Sequence, residues 1–172
     1  MRKIAVVICE GETEMEYINL IKGWLHSPIK VFSHIEGTKI TPELIDNRVN
    51  EHKLSAEDKI YSFLMYDLDV PEIVERLQAC NAELLVSNPC IEVWFLLHTK
   101  DHKRRLDSDA IIKELIRSNH VWRHYEKSKL TVTQRKHLLD NVELAISRAK
   151  GLKEFTNPSS TIYKLIELLR AD

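Results

Sequence analysis

The chain has 172 residues, of which 44% are hydrophobic, with four glycines, five prolines and a formal net charge of -1. This length and composition suit one compact domain and exclude a disordered or collagen-like chain. The near-zero net charge excludes a global field that would draw the whole protein onto nucleic acid or an anionic membrane. In chain order, Ile4 to Cys9 (IAVVIC) is a continuous β-branched run, the pattern of a strand buried on both faces. Glu12 to Leu25 then carries apolar residues at helical spacing, at Met15, Ile18, Ile21, Trp24 and Leu25. Ile29 to Ile35 reads as a second strand. Thr41-Pro42 has the form of an N-cap followed by proline at the first helical position, opening a helix to about Leu54. Ile60 to Tyr66 is a third buried strand that ends in Asp67-Leu68-Asp69; Pro71 starts a helix to about Cys80, and Glu83 to Val86 is a short fourth strand.

After Val86 only helices are expected. Asn88-Pro89 and Asn157-Pro158 each read as N-cap and proline, opening helices through His98 and Leu169. Ser108 to Arg117 and Gln134 to Lys150 are amphipathic, and Ser118 to Thr133 is loop-like. The expectation is an α/β fold: a doubly wound, mostly parallel four-stranded sheet with helices on both faces, residues 1–99, and a helical C-terminal extension, residues 100–172, packed on it. The three cysteines form no CxxC pair and read as reduced buried thiols. The apolar run at Ile4 to Cys9 is too short for a signal peptide or membrane span, so a cytoplasmic protein without membrane contact is expected.

The chemistry-bearing residues gather at one edge of that sheet. Strand one ends in Glu10-Gly11-Glu12-Thr13-Glu14 and strand three in Asp67-Leu68-Asp69. In open parallel sheets, ligands sit outside the carboxyl ends of the strands at the topological switch point. Gly11 permits a tight turn, Glu14 lies about one helical turn after Glu10, and Asp67 and Asp69 share a side in extended backbone. Four converging carboxylates without sulfur ligands suit a hard, oxygen-preferring cation, magnesium or manganese, and not zinc. The plainer reading is that carboxylates gather near helix N-termini because the macrodipole stabilises them. That accounts for Glu12 or Glu72, but poorly for two buried strands that both end in paired acids.

Glu92 lies in an apolar helix, about four positions beyond its expected N-cap, and an unpaired buried carboxylate is costly. A metal, a metal-bound water or a neighbouring lysine would satisfy it. Lys127 sits in the irregular part of a basic stretch from His98 to His137, where it reads either as a solvated charge or as a cation facing a phosphate. His120 and His124 lack the glutamate of a zinc-protease motif. His98 ends its helix where a cation is favoured by the dipole. No P-loop and no Gly-x-Ser-x-Gly elbow is present. An aspartate pair after strand three, with a helical second half, also disfavours a haloacid-dehalogenase phosphatase or a receiver domain.

Several blocks resemble the RloB-like family of Toprim-fold phage-defence proteins, related to abortive-infection proteins of the AbiL type. They are EGETE (Glu10–Glu14), DLD (Asp67–Asp69), SNPCIEVWFLLH (Ser87–His98), YEK (Tyr125–Lys127), AISRAK (Ala145–Lys150) and NPSSTIYKL (Asn157–Leu165). The resemblance implies a Toprim core with magnesium held by Glu10, Asp67 and Asp69. It implies Glu14 as the second acid of the nuclease branch, similar to OLD-type nucleases, with Ser87, Glu92 and Lys127 at outer positions. Where the family tends to have histidine in its last motif, this chain has Tyr163. The implied activity is phosphodiester cleavage of DNA or RNA, with Glu10, Asp67, Asp69, Glu92 and Lys127 as catalytic residues. An AAA- or ABC-type ATPase is the implied partner, and a homodimer is left open. The competing reading is a non-catalytic adaptor or regulatory subunit of an ATPase-containing defence complex.

Overall fold

A computed structural model of the chain describes residues 1–171. Its sheet has the strand order β2-β1-β3-β4-β5, with β1 Lys3–Cys9, β2 Lys30–Ile35, β3 Lys59–Asp67, β4 Glu83–Asn88 and β5 Ser159–Ser160. The first four strands are parallel and β5 is antiparallel to β4. The helices are α1 Glu12–Leu25, α2 Pro42–Asn50, α3 Pro71–Gln78, α4 Ile91–Leu97, α5 Ser108–Ser118, α6 Val132–Asp140, α7 Val142–Lys150 and α8 Tyr163–Arg170.

Alternation along the strands builds two cores. Ala5, Val7 and Cys9 of β1 and Phe63 and Met65 of β3 face a large cluster shared with α1, α4, α5, α7 and α8. Ile8, Leu64, Tyr66 and Val86 face a smaller cluster with Ile45 of α2 and Ile73 and Leu77 of α3. Both faces of β1 are therefore covered, which is why Ile4–Cys9 has no polar residue. The chain leaves β1 to form β2 on one side and returns to form β3 on the other, so the switch point lies between β1 and β3. Their register pairs Cys9 with Met65, and the amide of Glu10 donates to the Met65 carbonyl at 3.2 Å, so Glu10 and Asp67 leave the sheet together.

The structure departs from expectation at several points. The sheet has five strands, not four. β5 is two serines long and carries no apolar run that would announce it. It is held by the Ser87 and Ser160 hydroxyls at 2.9 Å and by Thr161, whose Oγ1 accepts from the Val86 amide at 2.9 Å. The segment after residue 100 thus contributes a strand as well as helices. Neither Asn-Pro pair opens a helix directly: both peptide bonds are cis, the N-cap of α4 is Cys90, and α8 starts only at Tyr163. Gln134 to Lys150 is two helices, broken at Asn141, whose Nδ2 bonds the His137 carbonyl at 2.9 Å; the first begins at Val132 behind a Thr131–Gln134 capping box.

The expected loop shortens to residues 119–131, since Ser118 ends α5 and Val132 and Thr133 open α6; within it lies a 3-10 turn at His120–Trp122, and Trp122 is fully buried and stacks on Phe95 at 5.7 Å. Helix α8 packs on α1 and β4, and α5 and α7 pack on α4, which leaves every residue of α4 buried. Arg148 of α7 donates to the Leu97 carbonyl at 2.7 Å, which satisfies an orphan acceptor at the end of α4. The three cysteines are buried and free. No helix among the described residues is long and apolar enough to cross a membrane.

Candidate metal centre

At the switch point, Glu10, Glu14 and Asp67 each offer a carboxylate oxygen within 4.8 Å of the others. Three different pieces of backbone deliver them: the end of β1, the first turn of α1 and the end of β3. Gly11 is the N-cap of α1 with φ -156, extended backbone that any residue adopts, so the turn does not use glycine's conformational freedom. A Cβ there would meet Glu14 Oε2 at 3.6 Å, an ordinary contact. A left-handed residue is needed elsewhere, at Gly37 (φ +62), whose amide donates to the Glu10 carbonyl at 3.0 Å.

Hydrogen bonds set the orientation of the trio. Glu10 Oε2 accepts from the Asp67 amide at 3.2 Å, and Asp67 Oδ1 accepts from the Ile91 amide at the start of α4 at 2.8 Å. Glu14 is 5% exposed. Burial pushes its carboxyl up to about 7; the neighbouring Glu10 and Glu92 charges add to this, and backbone amides of Glu14 and Gly11 offset part of it. Burial likewise raises Glu10, with Asp69 adding to the effect. Asp67 is raised well above the usual carboxylate range by burial and by Glu14, Glu10, Glu92 and Asp69. The trio repels itself, the electrostatic condition that a cation relieves.

The surrounding pocket encloses about 250 Å³ and is lined by six carboxylates (Glu10, Glu12, Glu14, Asp67, Asp69, Glu92) and one ammonium, Lys127. Asp69 is at its rim, outside the trio, and accepts from the Ser108 hydroxyl at 3.3 Å. Glu92 is 1% exposed. Because α4 starts at Ile91, Glu92 is the second residue of the helix, closer to its N-terminus than the spacing from Asn88 suggested. Its Oε1 accepts from the Tyr125 hydroxyl at 3.1 Å and lies 3.9 Å from Lys127 Nζ, while Oε2 has no hydrogen-bond partner among the described residues. The neighbouring lysine that could pair with Glu92 is thus Lys127 itself. Burial works to lower the Lys127 ammonium, but Glu92, Asp67 and Glu14 outweigh it and hold the group charged.

Other candidates fall outside the pocket. Ser87 points to β5 through Ser160. Tyr163 lies under Lys150, whose ammonium is 5.5 Å from its ring centroid. His120 and His124 are exposed and belong to no metal-ligating group among the described residues. His98 is not a cation at a helix end: it is fully buried, its Nδ1 donates to the Trp94 carbonyl at 2.7 Å, and burial lowers its pKa to about 3. The basic stretch is not one continuous cationic face, since Lys100, Lys103, Lys129, Arg135 and Lys136 pair with carboxylates. Two residues that support the site carry no signal of their own in the sequence. Tyr125 fixes Glu92, and Thr13 accepts from the Ser128 amide at 3.1 Å, which ties the Lys127 turn to α1.

The fold and the pocket define an α/β protein with a mostly parallel sheet and a carboxylate cluster at the carboxyl edge of its central strands. The chain matches the model of the family described as RloB-like protein over residues 5–169, nearly its whole length, and it belongs to that family. Comparison with curated proteins and with solved structures gave no match.

Proposed function

We propose that the chain is a Toprim-type, magnesium-dependent phosphodiesterase that cleaves DNA or RNA, as the effector of a phage-defence system that includes an AAA- or ABC-type ATPase. The observation that carries this reading is the convergence of Glu10, Glu14 and Asp67 within 4.8 Å, all with raised pKa values, at the switch point of the sheet. The donor set fits magnesium: hard oxygens only, no thiolate, no histidine, and an excess of negative charge that needs neutralising. Manganese satisfies the same ligands. Asp69, at the rim of the same pocket, would add a further oxygen donor to that set.

When bound, magnesium supplies Lewis acidity to a phosphoryl oxygen. The remaining work falls to the protein's own groups. Lys127, held charged beside the carboxylates, stabilises negative charge that develops on the phosphate. Glu92 Oε2, buried and unpartnered, is the acceptor free to take a proton from an attacking water, while Tyr125 keeps the carboxylate in place through Oε1. The carboxylates repel any phosphate in the absence of a cation, so activity is strictly metal-dependent.

The test is cleavage of labelled single-stranded DNA, duplex DNA and tRNA by the purified chain, with and without magnesium, alone and with its ATPase. Magnesium-dependent cleavage that Asp67→Asn abolishes supports the reading. If neither the chain nor the complex cleaves any of these substrates, and Asp67→Asn leaves a defence phenotype intact, the protein is an adaptor.

A further inference from the structure

Beside the acidic pocket, and sharing Asp69 with it, lies a wider cleft of about 1000 Å³ between the loop that precedes α5 and the turn that precedes β5. Its walls are fastened together. Asn157 Nδ2 donates to the Leu106 carbonyl at 2.7 Å, its Oδ1 accepts from the Leu106 amide at 3.4 Å, and Asn88 Nδ2 donates to the Phe155 carbonyl at 2.9 Å. Phe155 is held in a left-handed conformation (φ +67) and is 40% exposed into this cleft. An L residue rarely adopts this φ, and the Phe155 ring it positions forms part of the cleft wall.

The charged groups of the cleft separate by use. Asp107 is occupied, accepting from the Ala110 amide at 2.8 Å as the cap of α5, and Asp69 belongs to the acidic pocket. Arg105 and Asp109 are exposed and have no hydrogen-bond or ion-pair partner among the described residues. One free guanidinium is too little cation for a groove that tracks a phosphate backbone. An aromatic face, one free carboxylate and one free guanidinium are instead the groups that hold a single unstacked nucleotide. The ring stacks on the base, the carboxylate accepts from an exocyclic amine, and the guanidinium takes the flanking phosphate.

From this arrangement we infer that the cleft is a base-binding subsite for single-stranded nucleic acid. It seats the nucleotide next to the one at the acidic pocket and favours bases that carry an amino group. Phe155 is the stacking platform, Asp109 the base acceptor and Arg105 the phosphate contact. A duplex presents no free base face and is excluded from the subsite. The inference rests on the nuclease reading for what happens at the acidic pocket, but the binding itself does not require cleavage.

The experiment is fluorescence anisotropy of short labelled single strands (oligo-dC, oligo-dA, oligo-dT and their RNA counterparts) and of a duplex, with calcium in place of magnesium. The full chain and the variants Phe155→Ala, Phe155→Trp and Asp109→Asn are compared, and circular dichroism melts confirm folding. Single strands should bind more tightly than the duplex. Phe155→Ala should weaken binding about tenfold or more, the loss expected for one stacked base, and Phe155→Trp should retain it. Asp109→Asn should narrow the preference for oligo-dC and oligo-dA over oligo-dT. Equal binding by wild type and Phe155→Ala, a preference for duplex, or no binding of any oligonucleotide would overturn the subsite. Cleavage in magnesium, measured in parallel, separates the two readings. Phe155-dependent binding without cleavage sinks only the nuclease, and cleavage indifferent to Phe155→Ala sinks only the subsite.

Discussion

Thr13 and Ser128 are 115 residues apart in the chain, yet the Ser128 amide donates to Thr13 Oγ1 at 3.1 Å and the two hydroxyls meet at 3.5 Å. Ser128 is left-handed (φ +66), and its neighbours Glu126 and Lys129 form a one-residue bridge, so Lys127 sits at the tip of a closed turn clasped to α1. Thr13→Val keeps the shape and removes the acceptor. It should cost about 1 kcal/mol of stability, the net worth of one part-buried hydrogen bond. Cleavage should fall about tenfold or more, because Lys127 is no longer held; urea unfolding and single-turnover rates measure the two effects, and Thr13→Ser should restore both.

Asp67→Asn should have opposite effects with and without metal. In metal-free buffer it removes one charge from a self-repelling trio while keeping an acceptor for the Ile91 amide, so the melting temperature should rise. With magnesium the wild type should gain about 2.7 kcal/mol at a hundredfold excess over its Kd, and the variant should gain little. Differential scanning fluorimetry with magnesium and EDTA reads both arms. A wild type indifferent to magnesium, manganese and calcium would remove the metal centre.

Burial lowers the folded pKa of His98 to about 3, against about 6.5 for an unfolded histidine. A depressed folded pKa means that the unfolded chain binds the extra proton between those values. His98 therefore contributes stability that is complete above about pH 6.5 and is lost as pH falls towards about 3. Lost in full, that contribution is on the order of 5 kcal/mol. The raised carboxylates of the trio act in the opposite sense, gaining stability as pH falls, so the comparison must be between wild type and His98→Gln. The variant should show the flatter stability profile between pH 4 and pH 7 in urea titrations, and parallel profiles would show that His98 is not buried neutral.

Trp122→Ala should destabilise by about 3–5 kcal/mol, as for a core tryptophan, although it lies in an irregular segment. Its indole stacks on Phe95 and donates through Nε1 to Thr99 at 3.2 Å, so neither burial nor hydrogen bonding is spare. A loss below about 1 kcal/mol would mean that the segment is a surface loop.

Arg148→Ala leaves the Leu97 carbonyl at the end of α4 without its donor and should cost about 1.5–3 kcal/mol, the worth of a hydrogen bond to a charged group. Arg148→Lys should recover only part of this, since one ammonium cannot reproduce the fixed direction of the guanidinium. Chemical unfolding of the three proteins decides it.

What could be read from the sequence follows from how strongly each feature is encoded locally. The central strands β1 and β3 were legible because their runs are apolar on both faces towards the carboxyl edge, and Glu10 and Asp67 were legible because they terminate those runs. Glu14 could be anchored because it immediately precedes the apolar spacing that begins at Met15, within the first turn of α1. The fifth strand was not, since Ser159 and Ser160 have neither length nor hydrophobicity and owe their place to Ser87 and Val86. The starts of α4 and α8 were misplaced because Asn-Pro permits either an N-cap or an extended turn, and tertiary contacts choose. Tyr125, Thr13 and Ser128 were silent for a different reason: their roles exist only between segments more than thirty residues apart.

The placement of Lys127 opposite carboxylates drawn entirely from the first hundred residues also sets an order of events during synthesis. A nascent chain that has reached residue 100 carries Glu10, Glu14, Asp67, Asp69 and Glu92, but not the ammonium that faces them. It also lacks α5 and α7, so the apolar surface of α4 has nothing to cover it. The ribosome therefore releases the acids first and their counter-charge later, and the pocket becomes complete only when the second half closes over α4. A truncated product of that length would expose the apolar face of α4 and lack the ammonium of the pocket.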